Sequence, residues 1–499
     1  MRMFAINRVM ACVVASLCVA LALPSVAQTT ITIHTAHDLA DFAARVNSGD
    51  ADAKNAEVNL MASIDLSVAG YWTPIGQYES NAFRGTFHGN KHAIYGLTCE
   101  STGSNAGLFG YVGEGGVVSD LLLGGNVRLG CASGYVGGIA ACNYGTISGC
   151  GSVADVTLVG SGFTMGGIVG SNGSQTSTAN AMIANCYNRG TISYSSAPSR
   201  GLGGLIGVIE AYGEVTNSYS TVAIGGASNI GAFYGVRNCD KDNVLNCFYD
   251  NRGDQYDEGG EIVEVKSSAE LQGHGIEAIQ SDAKWLFEDG SYPELFYVAY
   301  TPKATATWSE DGSLGVGTFS ASDNIELPSG IVAAYTIGEN NGNVLTLNQV
   351  LEGGSYLPAN MPVLLAGHKG TTYNLRIVAK NVDEIAVDNL LAPHVEAGNV
   401  PTDGTKRYYG LYANGQFRQL SATGTFPAHS AYLNLETTAS SPSFFTLAED
   451  DVTGIEPLPA TQPVAGSGVW YTIDGRRLPQ GSQPKAGIYI NNNRKVIIR

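Results

Sequence analysis

The chain is 499 residues long, 44% apolar, and carries 44 Asp and Glu against 27 Lys and Arg, for a formal net charge of −17 at pH 7. That length accommodates two or three globular domains, and the acidic balance argues against nucleic acid or an anionic membrane surface as a partner.

Residues 1–27 read as a secretory signal peptide. Arg2 and Arg8 flank the start, the apolar run VMACVVASLCVALAL follows at 9–23, and Pro24 leads to Ser25-Val26-Ala27, with cleavage expected before Gln28. The apolar run is too short to span a bilayer comfortably, so no membrane span is expected in the mature chain. Leu17 is too large just before Cys18, and Cys12 follows too little apolar sequence, which sets lipidation aside. The mature cysteines, Cys99, Cys131, Cys142, Cys150, Cys186, Cys239 and Cys247, are odd in number and spread over a large region, which does not read as a disulfide framework. No C-x-x-C pair occurs, which argues against structural zinc.

Residues 28–70 are expected to form an N-terminal cap. In HTAHDLADFAARVNSG, residues 34–49, Thr35 and Asp38 have capping-box spacing, Leu39, Phe42, Ala43 and Val46 share a helical face, and Gly49 supplies a stop. From 71 to 298 a glycine cluster recurs about every 30 residues: AGLFGYVG (106–113), VGGIAACN (136–143), MGGIVGSN (165–172), LGGLIGVI (202–209) and IGAFYGVR (230–237). Its spacing matches neither a dinucleotide fingerprint nor a P-loop, so no nucleotide is expected at MGGIVGSN. Short runs of Val, Ile and Thr broken by Gly, Asn and Ser predict brief strands and tight turns. A right-handed parallel β-helix of five coils follows, on the order of 24 Å long at ~4.8 Å per coil.

In that reading the glycines turn corners with positive φ and let coils approach closely, while Ile168 and Val169 fill the core. Cys150, Cys186 and Cys247 fall at matching phases with Ser218 in the same column, which predicts a ladder of small buried side chains. The segment 267–296, with a helical stretch and then Trp285, Tyr292, Pro293 and Leu295, is expected to close the far end.

Gly107-Leu108-Phe109-Gly110, Gly167-Ile168-Val169-Gly170 and Gly204-Leu205-Ile206-Gly207 resemble the GLUG motif (Gly-Leu-any-Gly), and WTPIGQYESNAFRGTFHGNKHAIYGL at 72–97 is similar to its usual lead-in. Gly138-Ile139-Ala140-Ala141 lacks the last glycine, and Gly231 to Gly235 reads as carrying an extra residue. The resemblance covers residues 31–298 and implies a bacterial surface or adhesin-like protein. GLUG repeats also accompany the catalytic domain of IgA-cleaving metallopeptidases, but this chain has no H-E-x-x-H, so that activity does not carry over.

Residues 299–449 show longer alternating runs joined by Asn/Gly turns, such as Glu339-Asn340-Asn341-Gly342, and predict an antiparallel β-sandwich. The order of its pieces resembles a β-domain common in large secreted bacterial surface proteins. Residues 450–468 are rich in acid, Pro, Gly and Ala and read as a linker. Within 469–499, Asp474-Gly475-Arg476, Gly487-Ile488-Tyr489 and Lys495-Val496-Ile497-Ile498 resemble a type IX secretion C-terminal sorting domain, which implies secretion machinery as a partner and the outer surface of a Gram-negative bacterium. A plainer alternative is that this tail supplies strands finishing the sandwich.

Parallel β-helices also host polysaccharide lyases and hydrolases, whose sites need carboxylates converging on adjacent coils. Between residues 93 and 240 there is no Lys or His, and Glu100, Glu114, Asp120, Asp155, Glu210, Glu214 and Asp240 do not recur at one phase. No catalytic or cofactor residues are therefore assigned. The acidic run 239–261, with Asp240, Asp242, Asp250, Asp254, Asp257 and Glu258, lacks EF-hand spacing and reads as a solvated loop; His34, His37, His88 and His92 read as surface or cap residues, with any metal left open. The expected function is a non-catalytic, adhesin-like surface protein whose partner is an extracellular protein or glycan; the alternatives are a carbohydrate-active enzyme and a passive spacer. Aromatic side chains clustered on one solenoid face would favour binding, and converging carboxylates the enzyme.

Overall fold

The computed structural model describes residues 28–101, 105–174, 178–225, 228–254, 262–281, 285–309, 311–399, 405–420, 425–437 and 441–449, with the strands Trp470–Thr472, Gly487–Asn491 and Arg494–Ile498. Residues 1–27, expected to be a signal peptide, residues 450–468, expected to be a linker, and Asp257 and Glu258 lie outside the described residues.

The repeat folds as a parallel β-solenoid of about 7 turns. One coil passes through the strands Tyr135–Gly137, Ala140–Asn143, Thr146–Ser148, Gly151–Ser152 and Asp155–Val159. Each pairs in parallel with its counterpart in the next coil, at Tyr135 with Thr164, Ala140 with Val169, Thr146 with Met182, Gly151 with Tyr187 and Asp155 with Thr191. We number these stacks of strands first to fifth in that order. The coil count exceeds the five glycine clusters because the stack begins upstream: Thr30–Ile33 already pairs with Glu57–Leu60, and that strand with Thr86–His88. The cap helix, Ala36–Asn47, is thus an insertion between the first two coils; Thr35 and Asp38 form its capping box, and Leu39, Phe42, Ala43 and Val46 are buried. Phe42, Phe83, Phe87 and Phe109 interlock there, with edge-on centroid distances of 5.8 Å for Phe42–Phe83 and 5.5 Å for Phe87–Phe109.

Positive φ is used at a different corner from the one expected. Between the third and fourth stacks a single left-handed residue turns the chain in successive coils: Asp120 (φ 52°), Gly149 (63°), Asn185 (54°), Asn217 (49°) and Asn246 (51°). Asn and Asp tolerate this conformation better than other side-chain-bearing residues. The next residue points inward, and Cys150, Cys186 and Cys247 each place Sγ 3.3 Å from the carbonyl oxygen two residues earlier, as Ser218 does at 2.8 Å. These thiols satisfy a carbonyl at the bend and fill the core together.

The repeat glycines sit at the corner between the first and second stacks without positive φ; there, close approach excludes a side chain. A Cβ on Gly138 would lie 2.4 Å from Gly167 O, one on Gly167 2.3 Å from Gly204 O, and one on Gly204 1.9 Å from Ala232 O. The last coil has no extra residue, because Gly203 pairs with Gly231 and Ile206 with Tyr234, which leaves Ala232 in the glycine column.

The second half contains a four-stranded antiparallel sheet, with order Tyr297–Tyr300, Tyr373–Ile377, Ile325–Glu326, Tyr356–Leu357, and a ten-stranded sheet. Phe319, Ile325, Leu327, Leu357, Val363 and Leu375 belong to a buried cluster shared by the two sheets. The larger sheet departs from the antiparallel expectation once, where Val344–Glu352 pairs in parallel with Phe444–Glu449. The C-terminal strands form a separate three-stranded antiparallel sheet, so they do not extend the ten-stranded one.

The two halves are welded side by side. Tyr187, Tyr219 and Phe248 on the outside of the fourth stack are buried in one cluster with Trp285, Phe296 and Phe319. Segment 267–296 therefore does not close the end as expected: Leu271, Ile276, Ile279, Trp285 and Leu295 join this lateral core and none belongs to the solenoid core, whose last members come from Cys247 and Val263. The aromatic outer face is what draws it sideways.

Candidate functional site

The weld contains two buried carboxylates with partners of their own, Glu294 and Asp250. Glu294 accepts from Tyr187 OH at 2.5 Å and from the Leu295 and Phe296 amides at 2.8 and 3.1 Å, and it pairs with Arg189. Asp250, which is fully buried, accepts from Arg252 Nε at 2.9 Å, Tyr292 OH at 3.0 Å and Ser268 Oγ at 2.8 Å. Asp250 thus departs from the solvated loop expected for 239–261, because its carboxylate is a buried anchor; among the described residues no group of three or more His, Cys, Asp or Glu gathers as a metal site.

The predicted histidines do not converge. His37 lies 3.4 Å from Asp41 on the cap helix, and His88 lies 3.7 Å from Glu57. The backbone N–H of His34 donates to Asp38 at 3.0 Å. His92 Nδ1 meets the buried Asp323 carboxylate at 2.9 Å, and Ser63 Oγ donates to that same carboxylate. This trio joins the early coils to the second half, beside a cavity of about 570 Å³ lined by Lys91, His92, Tyr297, Asp323, Glu396 and His429 among others. Nucleophilic catalysis would need the serine on the far nitrogen of the imidazole. Here Ser63 and His92 both bond the carboxylate, and Ser63 Oγ also accepts from the Ala93 amide at 2.7 Å, so the trio is a clamp.

The grouping that fits a binding role lies on other stacks. Tyr111 lies in the strand Phe109–Val112 of the second stack, and Tyr144 follows the next strand in it, with their rings 5.9 Å apart. Tyr135 opens a first-stack strand and Phe163 precedes the next one, with their rings edge-on at 5.6 Å. All four side chains are half-buried. Asn105 ties the rows together: its Oδ1 accepts from the Tyr135 amide at 2.9 Å and its Nδ2 reaches Cys142 Sγ at 3.5 Å. The hydroxyls of Tyr111 and Tyr144 also turn toward that fully buried thiol. Burial raises the thiol well above its ordinary range and holds the Tyr111 hydroxyl up at about 12, so this floor is neutral at physiological pH.

One end of the strip is fixed by charge. Arg200 stacks over Phe163 at 5.4 Å and grips the buried Glu210 through two bonds of 2.6 and 3.0 Å, while Asn238 Nδ2 donates to Glu210 at 2.8 Å. The other end carries Glu79, exposed on the turn beside Tyr111. Sequence reading missed the strip because its rings occupy different phases of the repeat; the corner between stacks brings them together.

No family model matches the chain. Over 93 residues, 18% of this chain, it is 38% identical to a protein of Evansella cellulosilytica provisionally named a Gly-rich membrane protein, and the match spans 10% of that protein's length. A crystal structure provisionally described as an immunoglobulin A1 protease from Bacteroides ovatus overlaps 53% of this chain and 91% of its own, with 21% identity and a TM-score of 0.39.

Proposed function

We propose that this protein is displayed on the outer surface of, or secreted by, a Gram-negative bacterium, and acts as an adhesin-like binding protein without chemistry of its own. The aromatic strip carries the reading: Tyr111, Tyr144, Tyr135 and Phe163 stand half-exposed over a hydrogen-bonded neutral floor, on stacks other than the one covered by the second half. A contiguous aromatic patch on a solenoid is an interaction surface, and a passive spacer has no use for one. The GLUG-like repeats, the signal-type N-terminus and the sorting-type tail support surface placement, as does the Gly-rich relative's name as a membrane protein across the matched stretch.

Labelling intact cells with an antibody to residues 299–449 tests placement. Display is expected with the full chain and is expected to be lost when residues 469–499 are deleted; unchanged display would remove the sorting role. A binding screen of the mature chain against extracellular matrix proteins and glycans tests the rest, and a hydrolase or lyase activity that survives purification would replace this reading with the enzymatic one.

A further inference from the structure

We infer that the seam between the solenoid and the second half opens in mild acid at its early-coil end, with His429 as the trigger. This latch is independent of what the protein binds.

The closed latch hangs on one carboxylate. Asp323, from the second half, is buried and accepts from Ser63 and from His92 Nδ1, both on the early coils, with Ser322 Oγ 3.5 Å away. Beside it Lys91 stands 4.7 Å over the Tyr297 ring. The second half is thus held here by polar contacts, whereas the apolar weld lies further along the rod at Tyr187, Tyr219 and Phe248.

His429 lines the same cavity as this clamp. It sits at the bend before the strand Ser430–Glu436 in a left-handed conformation, φ 53°. Its amide donates to Val395 O at 3.2 Å, and its ring stacks on the buried Phe319 at 6.2 Å and 19°. Held in this way, the ring leaves Nδ1 buried without a hydrogen-bond partner among the described residues. A neutral ring with its proton on Nε2 leaves Nδ1 a bare acceptor, at modest cost. A protonated ring would bury a charged N–H that nothing receives, and the face of Phe319 supplies no acceptor.

The charged and titratable groups around His429 decide where that proton would lead. Across the cavity are Asp323, His92, Lys91, Glu396 and Tyr297. On the other flank Tyr300, Lys303 and Tyr412 line a second cavity with it, and His394 pairs with the adjacent Ser430. Burial is the largest influence and holds His429 below the ordinary histidine range; the Ser320 backbone and the Asp323 carboxylate favour the charged ring, and His92 opposes it. The carboxylate that favours the charge is therefore the one already engaged by Ser63 and His92. Once protonated, His429 competes for Asp323 with the solenoid, and the clamp is what it breaks. Because the latched ring stays neutral, the opened form takes the proton first. The contribution of His429 is complete above pH ~6.5 and is lost as pH falls below it.

Hydrogen exchange of the full mature chain at pH 7.5 and 5.5, expressed as protection factors, reads the opening. Peptides covering 60–66, 90–95 and 320–325 are expected to lose up to about tenfold in protection in acid, the limit for one ring that titrates near 6.5 when released. The Ala93 amide, bonded to Ser63 Oγ at 2.7 Å, reports the clamp directly. At both pH values these peptides are expected to be less protected than the weld at 217–220 and 293–297, because the end opens without unfolding. His429→Asn, which accepts the left-handed bend but does not titrate, is expected to abolish the acid response. If that variant misfolds, His429→Gly carries the test. His92→Gln can still donate to Asp323 and is expected to retain the response. No response in the unaltered chain, or one that survives without His429, overturns the inference. Protection at the latch equal to that of the weld would make the event global unfolding, and a response lost in His92→Gln but kept in His429→Asn would put the trigger elsewhere; either result also overturns it.

Discussion

At Gly167 one added carbon decides whether the coils close. A Cβ there would lie 2.1 Å from Asn188 Nδ2 and 2.3 Å from Gly204 O, and backbone at that distance cannot yield as a flexible side chain can. Gly167→Val is expected to cost about 1–3 kcal/mol or more through overpacking, read by denaturant unfolding. Ala232→Gly, at the end of the same column, is expected to cost no more than about 1 kcal/mol. The cysteines yield a second prediction. All seven are buried and unpaired, and burial raises Cys99 to about 11 and Cys247 to about 12 from an ordinary value of 9. Native thiols should resist alkylation at pH 8, and all seven should react after unfolding. Because the folded values are raised, this contribution to stability is complete below pH 9 and is lost as pH climbs toward 12, where the unfolded chain releases these protons first. Urea midpoints measured across that window should fall. The spacing of Cys150, Cys186, Ser218 and Cys247 was readable in the sequence because each occupies one phase, and the structure pairs Ser218 with Cys247. The glycine column was equally readable, and of the two causes expected for it the close approach of the coils holds, whereas positive φ does not.

At the scale of elements, the bend between the third and fourth stacks is the device that repeats most faithfully. Asn246 Nδ2 donates to Asn217 Oδ1 at 3.0 Å, so neighbouring bends are tied to one another as well as turned. Asn217→Ala loses that bond and puts at φ 49° a residue without asparagine's tolerance of the left-handed region, so a loss of about 1–2 kcal/mol is expected in thermal unfolding, with Asn217→Gly recovering the conformational part of it. Asn185, Asn217 and Asn246 were visible as letters, but nothing in their local sequence separated a left-handed corner from an ordinary polar turn. The cap helix was legible down to its capping box, because helix starts are encoded within a few residues. Segment 267–296 was misplaced for the opposite reason. What decides its path is the outer aromatic row, Tyr187 stacked on Tyr219 at 5.5 Å and 13°, and a chain can read its own contacts with a distant surface only once both are folded.

For the whole molecule, the solenoid and the second half share one lateral core and so are expected to unfold together in one calorimetric transition. Glu294→Ala leaves Arg189 as an unbalanced charge in that core and should cost about 3–5 kcal/mol, splitting the transition in two. The double variant Glu294→Leu, Arg189→Met should recover much of the loss. The repeat architecture was legible from glycine period alone, whereas the weld was not, since outward-facing aromatics at one phase read equally as an exposed binding face. In the structure the regular aromatic row is covered, and the irregular grouping at Tyr111, Tyr135, Tyr144 and Phe163 is half-exposed. The attachment also has a mechanical meaning. The second half starts at the last coil but is clamped back along the rod, at Glu294 to Arg189, at Ala379 against Gly124, and at Asp323 to His92 and Ser63. A pull on the C-terminal tail of an anchored protein would therefore load these contacts in shear across many coils at once. Coils that would otherwise peel off singly from the free end would be held until the whole seam yields.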